Sequence, residues 1–156
     1  MKIVYDDQIF IEQNWGGISN LFSNYFKQIN ESKKYKISLP FLFVFSKILS
    51  KKKIRFNRNE YNYHLIKFLN FLTVNFYLLF FKYDILHLTY FRKNLINKKN
   101  KKFVISIPDM IPESNRHLFK NYKFVHPYKK ELAKKADLII TISKVSKKKI
   151  IESYKL

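Results

Sequence analysis

The sequence predicts an α/β chain: an open parallel sheet with helices on both faces, of the Rossmann-like kind. Three observations carry this. Short apolar runs alternate with longer amphipathic ones from the N-terminus to the end of the chain. The runs Phe103–Ile107 and Leu138–Ile142 are rich in Ile and Val with no polar alternation, which marks parallel strands covered on two sides. At 156 residues the chain has the length of one domain, and 47% hydrophobic content is enough for a core.

The elements follow in order. Lys2–Tyr5 is the first strand, and a polar loop is expected from there to Trp15. Ile18, Leu21, Phe22, Tyr25, Phe26 and Ile29 recur at i, i+3, i+4, i+7, i+8 and i+11, one face of a helix that should end near Ser32. Lys33 and Lys34 suit the negative end of its dipole. Tyr35–Leu39 reads as a second strand stopped by Pro40, and 41–58 has no clear period. Glu60–Phe81 reads as helix, in one piece or two. Ile85–Leu88 is a third strand entered from Asp84, Lys98–Lys102 a polar turn, and Phe103–Ile107 a fourth strand cut by Pro108. Pro127–Lys135 reads as a short helix with proline in its first turn, where the missing N–H does no harm. Leu138–Ile142 is the fifth strand, and Ser143 caps a last helix that runs through Tyr154.

Lys and Arg number 31 against 11 Asp and Glu, a formal net charge of +20. Lysine dominates, and Arg55, Arg58, Arg92 and Arg116 are the only arginines. Sequence-specific nucleic-acid sites favour the bidentate arginine fork, so no specific nucleic-acid partner is expected. Scattered lysine suits an anionic membrane surface better. The most apolar stretch, Phe68–Phe81, is 14 residues long and interrupted by Asn70, Thr73 and Asn75. A spanning helix needs about 20 residues. The stretch therefore reads first as a buried helix, and second as a helix touching a membrane. Residues 1–7 lack the apolar core of a signal peptide, since Tyr5 runs straight into Asp6 and Asp7. There is no cysteine, which excludes disulfides, thiol chemistry and Cys-based zinc sites and fits a cytoplasmic chain. His64, His117 and His126 have no metal-ligand spacing, and no metal is expected.

The chain has two glycines, and they are adjacent, Gly16 and Gly17, between the first strand and the first long helix. In an open α/β sheet, ligands bind outside the carboxyl ends of the strands. A bare backbone and a helix N-terminus at that place suit an anion. The competing reading is a tight loop that needs positive φ. Neither a Gly-x-Gly-x-x-Gly fingerprint nor a P-loop is present, which removes the commonest enzymes of this fold class. His87, Asp109 and Ser143 lie at or after the ends of three strands, where a parallel sheet would gather them on one crevice. His87 serves equally well as a core histidine, and Ser143 reads more readily as a helix cap than as a ligand contact.

Four stretches, in order, resemble family 4 glycosyltransferases. They are Tyr5-Asp-Asp-Gln-Ile-Phe10 with Gln13 and Gly16-Gly-Ile-Ser19; Asp84-Ile-Leu-His87; Asp109-Met-Ile-Pro-Glu113; and Ala136-Asp-Leu-Ile-Ile-Thr-Ile-Ser143 with the Lys-rich helix after it. The resemblance implies one half of a GT-B fold: residues 1–156 as a Rossmann-like N-terminal, acceptor-side domain. It implies a retaining transfer of a sugar from a nucleotide-sugar donor to a glycan or lipid-linked acceptor, in cell-surface polysaccharide synthesis. Gly16 and Gly17 would offer amides to the donor diphosphate, while Gln13, His87, Asp109 and Ser143 would line the acceptor cleft. No metal or cofactor is implied, because amides and cations stabilise the leaving diphosphate. Two positions depart from the family: Pro108 stands where it has a His that contacts the transferred sugar, and Asn20 where it often has Arg. The donor-binding second domain is expected outside this chain, on a continuation or a partner. The expected location is cytoplasmic, with peripheral contact at the inner face of a membrane. The alternative is a non-catalytic basic α/β module that binds a membrane surface or nucleic acid.

Overall fold

The computed structural model describes residues 1–49, 53–92, 95, 100–119 and 122–156. Five parallel strands form the main sheet. They are β1 (Lys2–Tyr5), β2 (Lys36–Ser38), β5 (Ile85–Leu88), β6 (Lys102–Ser106) and β7 (Leu138–Ile140), in the order β2-β1-β5-β6-β7. The pairing registers Val4 with Leu86, Leu86 with Phe103 and Val104 with Leu138. Successive strand residues point to opposite faces. Val4 and Tyr5 are both buried, as are Phe103, Val104 and Ile105, so both faces of the central strands are covered. This is the expected Rossmann-like open α/β architecture.

A small second sheet pairs β3 (Phe43–Val44) with β4 (Ile54–Arg55) in the stretch where the sequence shows no period. The segment after β1 is a correction. Instead of a polar loop, residues Gln8–Glu12 form a short helix, α1, because Ile9, Phe10 and Ile11 are contiguous and all enter the core. α2 (Gly17–Glu31) lays Phe22 and Phe26 over the sheet, where their rings meet Tyr5 at centroid separations of 6.0 and 4.8 Å. α3 (Glu60–Phe80) is one uninterrupted helix of 21 residues, capped by Asn59, whose side chain accepts from the Asn62 amide.

Beyond β6, a one-turn helix α4 (Ile111–Ser114) precedes α5 (Tyr122–Lys135). α5 starts five residues before Pro127, so proline stands inside the helix and not in its first turn. α6 (Lys144–Tyr154) begins at the expected cap, with the Ser143 hydroxyl accepting from the Ser146 amide at 3.0 Å. Lys98 and Lys99 of the expected turn lie outside the described residues; Asn100 and Lys101 complete it, and Lys102 already belongs to β6.

Candidate functional site

From β1 the chain runs outward to β2, then crosses back to β5 on the other side of β1. The direction of winding reverses between β1 and β5, and the loops at their carboxyl ends part there. A crevice at this switch point is where open α/β sheets bind ligands. The residues that follow the two strands are Asp6-Asp7-Gln8 and Thr89-Tyr90-Phe91-Arg92.

Both aspartates are fully buried. One oxygen of Asp6 accepts from the Thr89 amide and hydroxyl, each at 2.6 Å, and the Thr89 hydroxyl oxygen accepts from the Ile9 amide at 3.2 Å. The two loops are thereby bolted together. The second oxygen of Asp6 is buried without a donor among the described residues. Burial is the main reason that the Asp6 carboxyl is pushed up to about 6; Arg92 and the Thr89 bonds act against it, and Asp7 adds to it. Asp7 takes the Arg92 guanidinium on both oxygens, Nη1 on one and Nη2 on the other at 3.1 Å. The Asn70 amide donates to the same carboxylate at 2.9 Å. Asn70 Oδ1 in turn accepts from the Leu42 and Phe43 amides at 3.3 and 3.1 Å. The polar residue that interrupts the apolar run is therefore the joint between α3, β3 and the switch point. Sequence reasoning missed Asp6, Asp7, Asn70 and Arg92 as a set. The available signal was two carboxylates directly after the first strand.

A cleft of about 420 Å³ opens beside the Asp7–Arg92 pair. Gln8, His64, Lys67, Phe71, Phe91 and Arg92 contribute to its wall. Gln8 is buried, and its Oε1 has no donor among the described residues.

Gly16 and Gly17 stand at the start of α2. Neither has positive φ, so the tight-loop reading is set aside. Gly16 is extended, with φ −178° and ψ 159°, which any residue adopts. A side chain there would have to displace the end of Gln13. A Cβ on Gly16 would lie 2.2 Å from Gln13 Oε1, and that oxygen accepts from the Ser19 amide at 3.2 Å. The Gln13 side chain folds over the bare glycine and caps the helix from upstream. Gly17 has nothing within 4 Å of a Cβ position, so its open flank is free for something else. The amides of Gly17 and Ile18 have no intrahelical acceptor, as at any helix start, and the dipole adds positive potential there.

The remaining residues of interest divide. His87 is 4% exposed and sits inside the core, against Tyr5 and Phe22, with its Nε2 2.9 Å from the Ser106 hydroxyl. Burial pulls its pKa down to about 4, so the ring is neutral at pH 7. Asp109 follows β6, where its carboxylate accepts from the Ile111 amide at 3.0 Å and shapes the turn into α4. Ser143 is exposed and caps α6. The Pro108 carbonyl accepts from the Thr141 hydroxyl at 3.1 Å, joining the ends of β6 and β7. Asp109 and Ser143 thus share the carboxyl edge of the sheet with the Gly16–Gly17 loop, while His87 lies beneath it. Nearby, Glu113 gathers three elements: Lys129 of α5 at 2.9 Å and 3.1 Å, His126 of α5 at 3.5 Å, and the Tyr154 hydroxyl of α6 at 2.9 Å. Burial would raise the Glu113 carboxyl, but the Lys129 bond and charge together with the Tyr154 bond leave it lowered. Among the described residues, no three His, Asp or Glu side chains stand together as a metal site would require.

Fold and site together define a Rossmann-like α/β domain with a polar switch-point crevice and a glycine-flanked helix start on one sheet edge. No family model matches the chain, and neither a curated protein nor a solved structure does.

Proposed function

We propose that this chain is the acceptor-side half of a glycosyltransferase that moves a sugar from a nucleoside diphosphate to a glycan or lipid-linked acceptor. The observation that carries the reading is the Gly16–Gly17 loop: a bare backbone before a 15-residue helix, at the carboxyl edge of a parallel sheet. The ordered resemblance of four motifs to family 4 glycosyltransferases supports it. In this reading the Gly17 and Ile18 amides face the donor diphosphate and stabilise its charge as the sugar departs. The switch-point cleft holds the acceptor, with Lys67 and the Arg92 guanidinium on its wall. Most donor contacts belong to a second domain, on a continuation or a partner chain, and this half works in the cytoplasm at a membrane face.

The test is Gly17→Val. Nothing lies within 4 Å of the added Cβ in the folded protein, so the unfolding midpoint should stay close to the parent's. Binding of uridine diphosphate, followed by calorimetry, should weaken by at least about tenfold, the loss expected when roughly 1.4 kcal/mol of close amide contact is blocked. Equal binding by variant and parent contradicts the reading.

A further inference from the structure

α3 is buried on one side only. Ile66, Asn70, Val74 and Leu78 face inward. Tyr61, Leu65, Phe68, Leu72, Phe76 and Leu79 are 44–79% exposed. Their spacing of four, three, four, four and three residues keeps them within one narrow arc of the helix. The stripe runs for about 27 Å at 1.5 Å per residue. It exposes about 700 Å² of apolar surface, taking about 200 Å² for each side chain. The largest apolar patch on an ordinary monomer is about 300–600 Å² and is commonly functional.

We propose that this face of α3 docks on an anionic lipid bilayer, lying in the plane of the interface. Charge complementarity selects the occupant. The chain carries +20, and Lys53, Arg55, Arg58, Lys67 and Lys82 neighbour the stripe in sequence against Glu60, with Arg58 and Lys67 also facing Glu12. A second copy laid along the stripe would set two such charges against each other, whereas anionic headgroups relieve them. Aromatic and Leu side chains at interfacial depth, with cations beside them, are the composition of a helix that lies on a membrane. Among the described residues no helix is long and apolar enough to cross one, so α3 rests at the surface. The inference does not rest on the transferase reading. It assigns the second sequence expectation for Phe68–Phe81 to one face of the helix, and the first to the other.

The experiment is flotation with phosphatidylcholine vesicles, with and without phosphatidylglycerol, for the whole chain and for Phe68→Ser/Phe76→Ser. Both positions are exposed, so the fold should survive, and circular dichroism checks that it does. The parent should float with the anionic vesicles and not the neutral ones. The variant should partition at least about tenfold less, since each Phe withdrawn from water contributes more than one decade. As an independent readout, the single indole of Phe76→Trp in a Trp15→Phe background should shift its emission to the blue on anionic vesicles. The proposal is overturned if the double-serine variant floats like the parent, if the indole emission does not move, or if the parent stays in solution. It is also overturned if sedimentation shows a dimer or a co-purifying protein that the double substitution releases.

Discussion

Asp6 and His87 are two buried titratable groups with opposite displacements. Asp6 lies near 6 in the folded protein against about 4 in an unfolded chain, so between those values the fold holds a proton that the unfolded state has lost. Its stabilisation is complete below about pH 4 and disappears as pH rises through 6. His87 lies near 4 against about 6.5 unfolded, so its stabilisation is complete above about 6.5 and disappears as pH falls through 4. The two contributions oppose each other across the same window. Asp6→Asn retains an oxygen for Thr89 and removes the titration. Relative to the parent, the variant should therefore lose about 3 kcal/mol of stability as pH is lowered from about 7 to about 4, some two pKa units at about 1.4 kcal/mol each. Urea unfolding at a series of pH values measures this, and a difference that stays constant with pH contradicts it. The sequence places Asp6 and Asp7 directly after a strand, but their importance comes from Thr89 and Arg92, more than 80 positions away. No local pattern shows such a pairing. Gly16 is the opposite case: its placement is readable, yet what lies over it is the Gln13 side chain, and its φ is not positive.

At the scale of elements, strands and long helices are legible because periodicity records which side is buried. α2 and α6 start and end within a residue or two of expectation. Failures fall where short apolar runs serve tertiary contacts. α1 packs three consecutive apolar residues into the core, which neither helical nor strand period displays. The β3–β4 sheet is two residues wide and held by long-range pairing. At the far edge, α4, α5 and α6 are joined through Glu113, with Lys129 4% and Glu113 6% exposed. Removing one member of a buried pair leaves an uncompensated charge, at a cost of about 3–5 kcal/mol. Glu113→Ala should destabilise by that amount in denaturant unfolding. The double substitution Glu113→Ala/Lys129→Met should recover a large part of it. A loss below about 1 kcal/mol for the single variant would place the pair among ordinary surface bridges.

For the whole molecule, the sheet order β2-β1-β5-β6-β7 determines where chemistry can happen. It opens the crevice between β1 and β5 and turns the Gly16–Gly17 loop, Asp109 and Ser143 toward the same edge. The sequence shows that strands and helices alternate, and it shows the residues at strand ends. It does not show that His87 points into the core, since one position along a strand decides between the two faces. The central claim is that the bare backbone at this edge receives a diphosphate. An amide-resolved nuclear magnetic resonance titration of the chain with uridine diphosphate tests it most directly. The account predicts saturable shifts centred on the Gly17 and Ile18 amides. Unmoved Gly17 and Ile18 signals at high uridine diphosphate, or shifts confined to the lysines of α6, would contradict it.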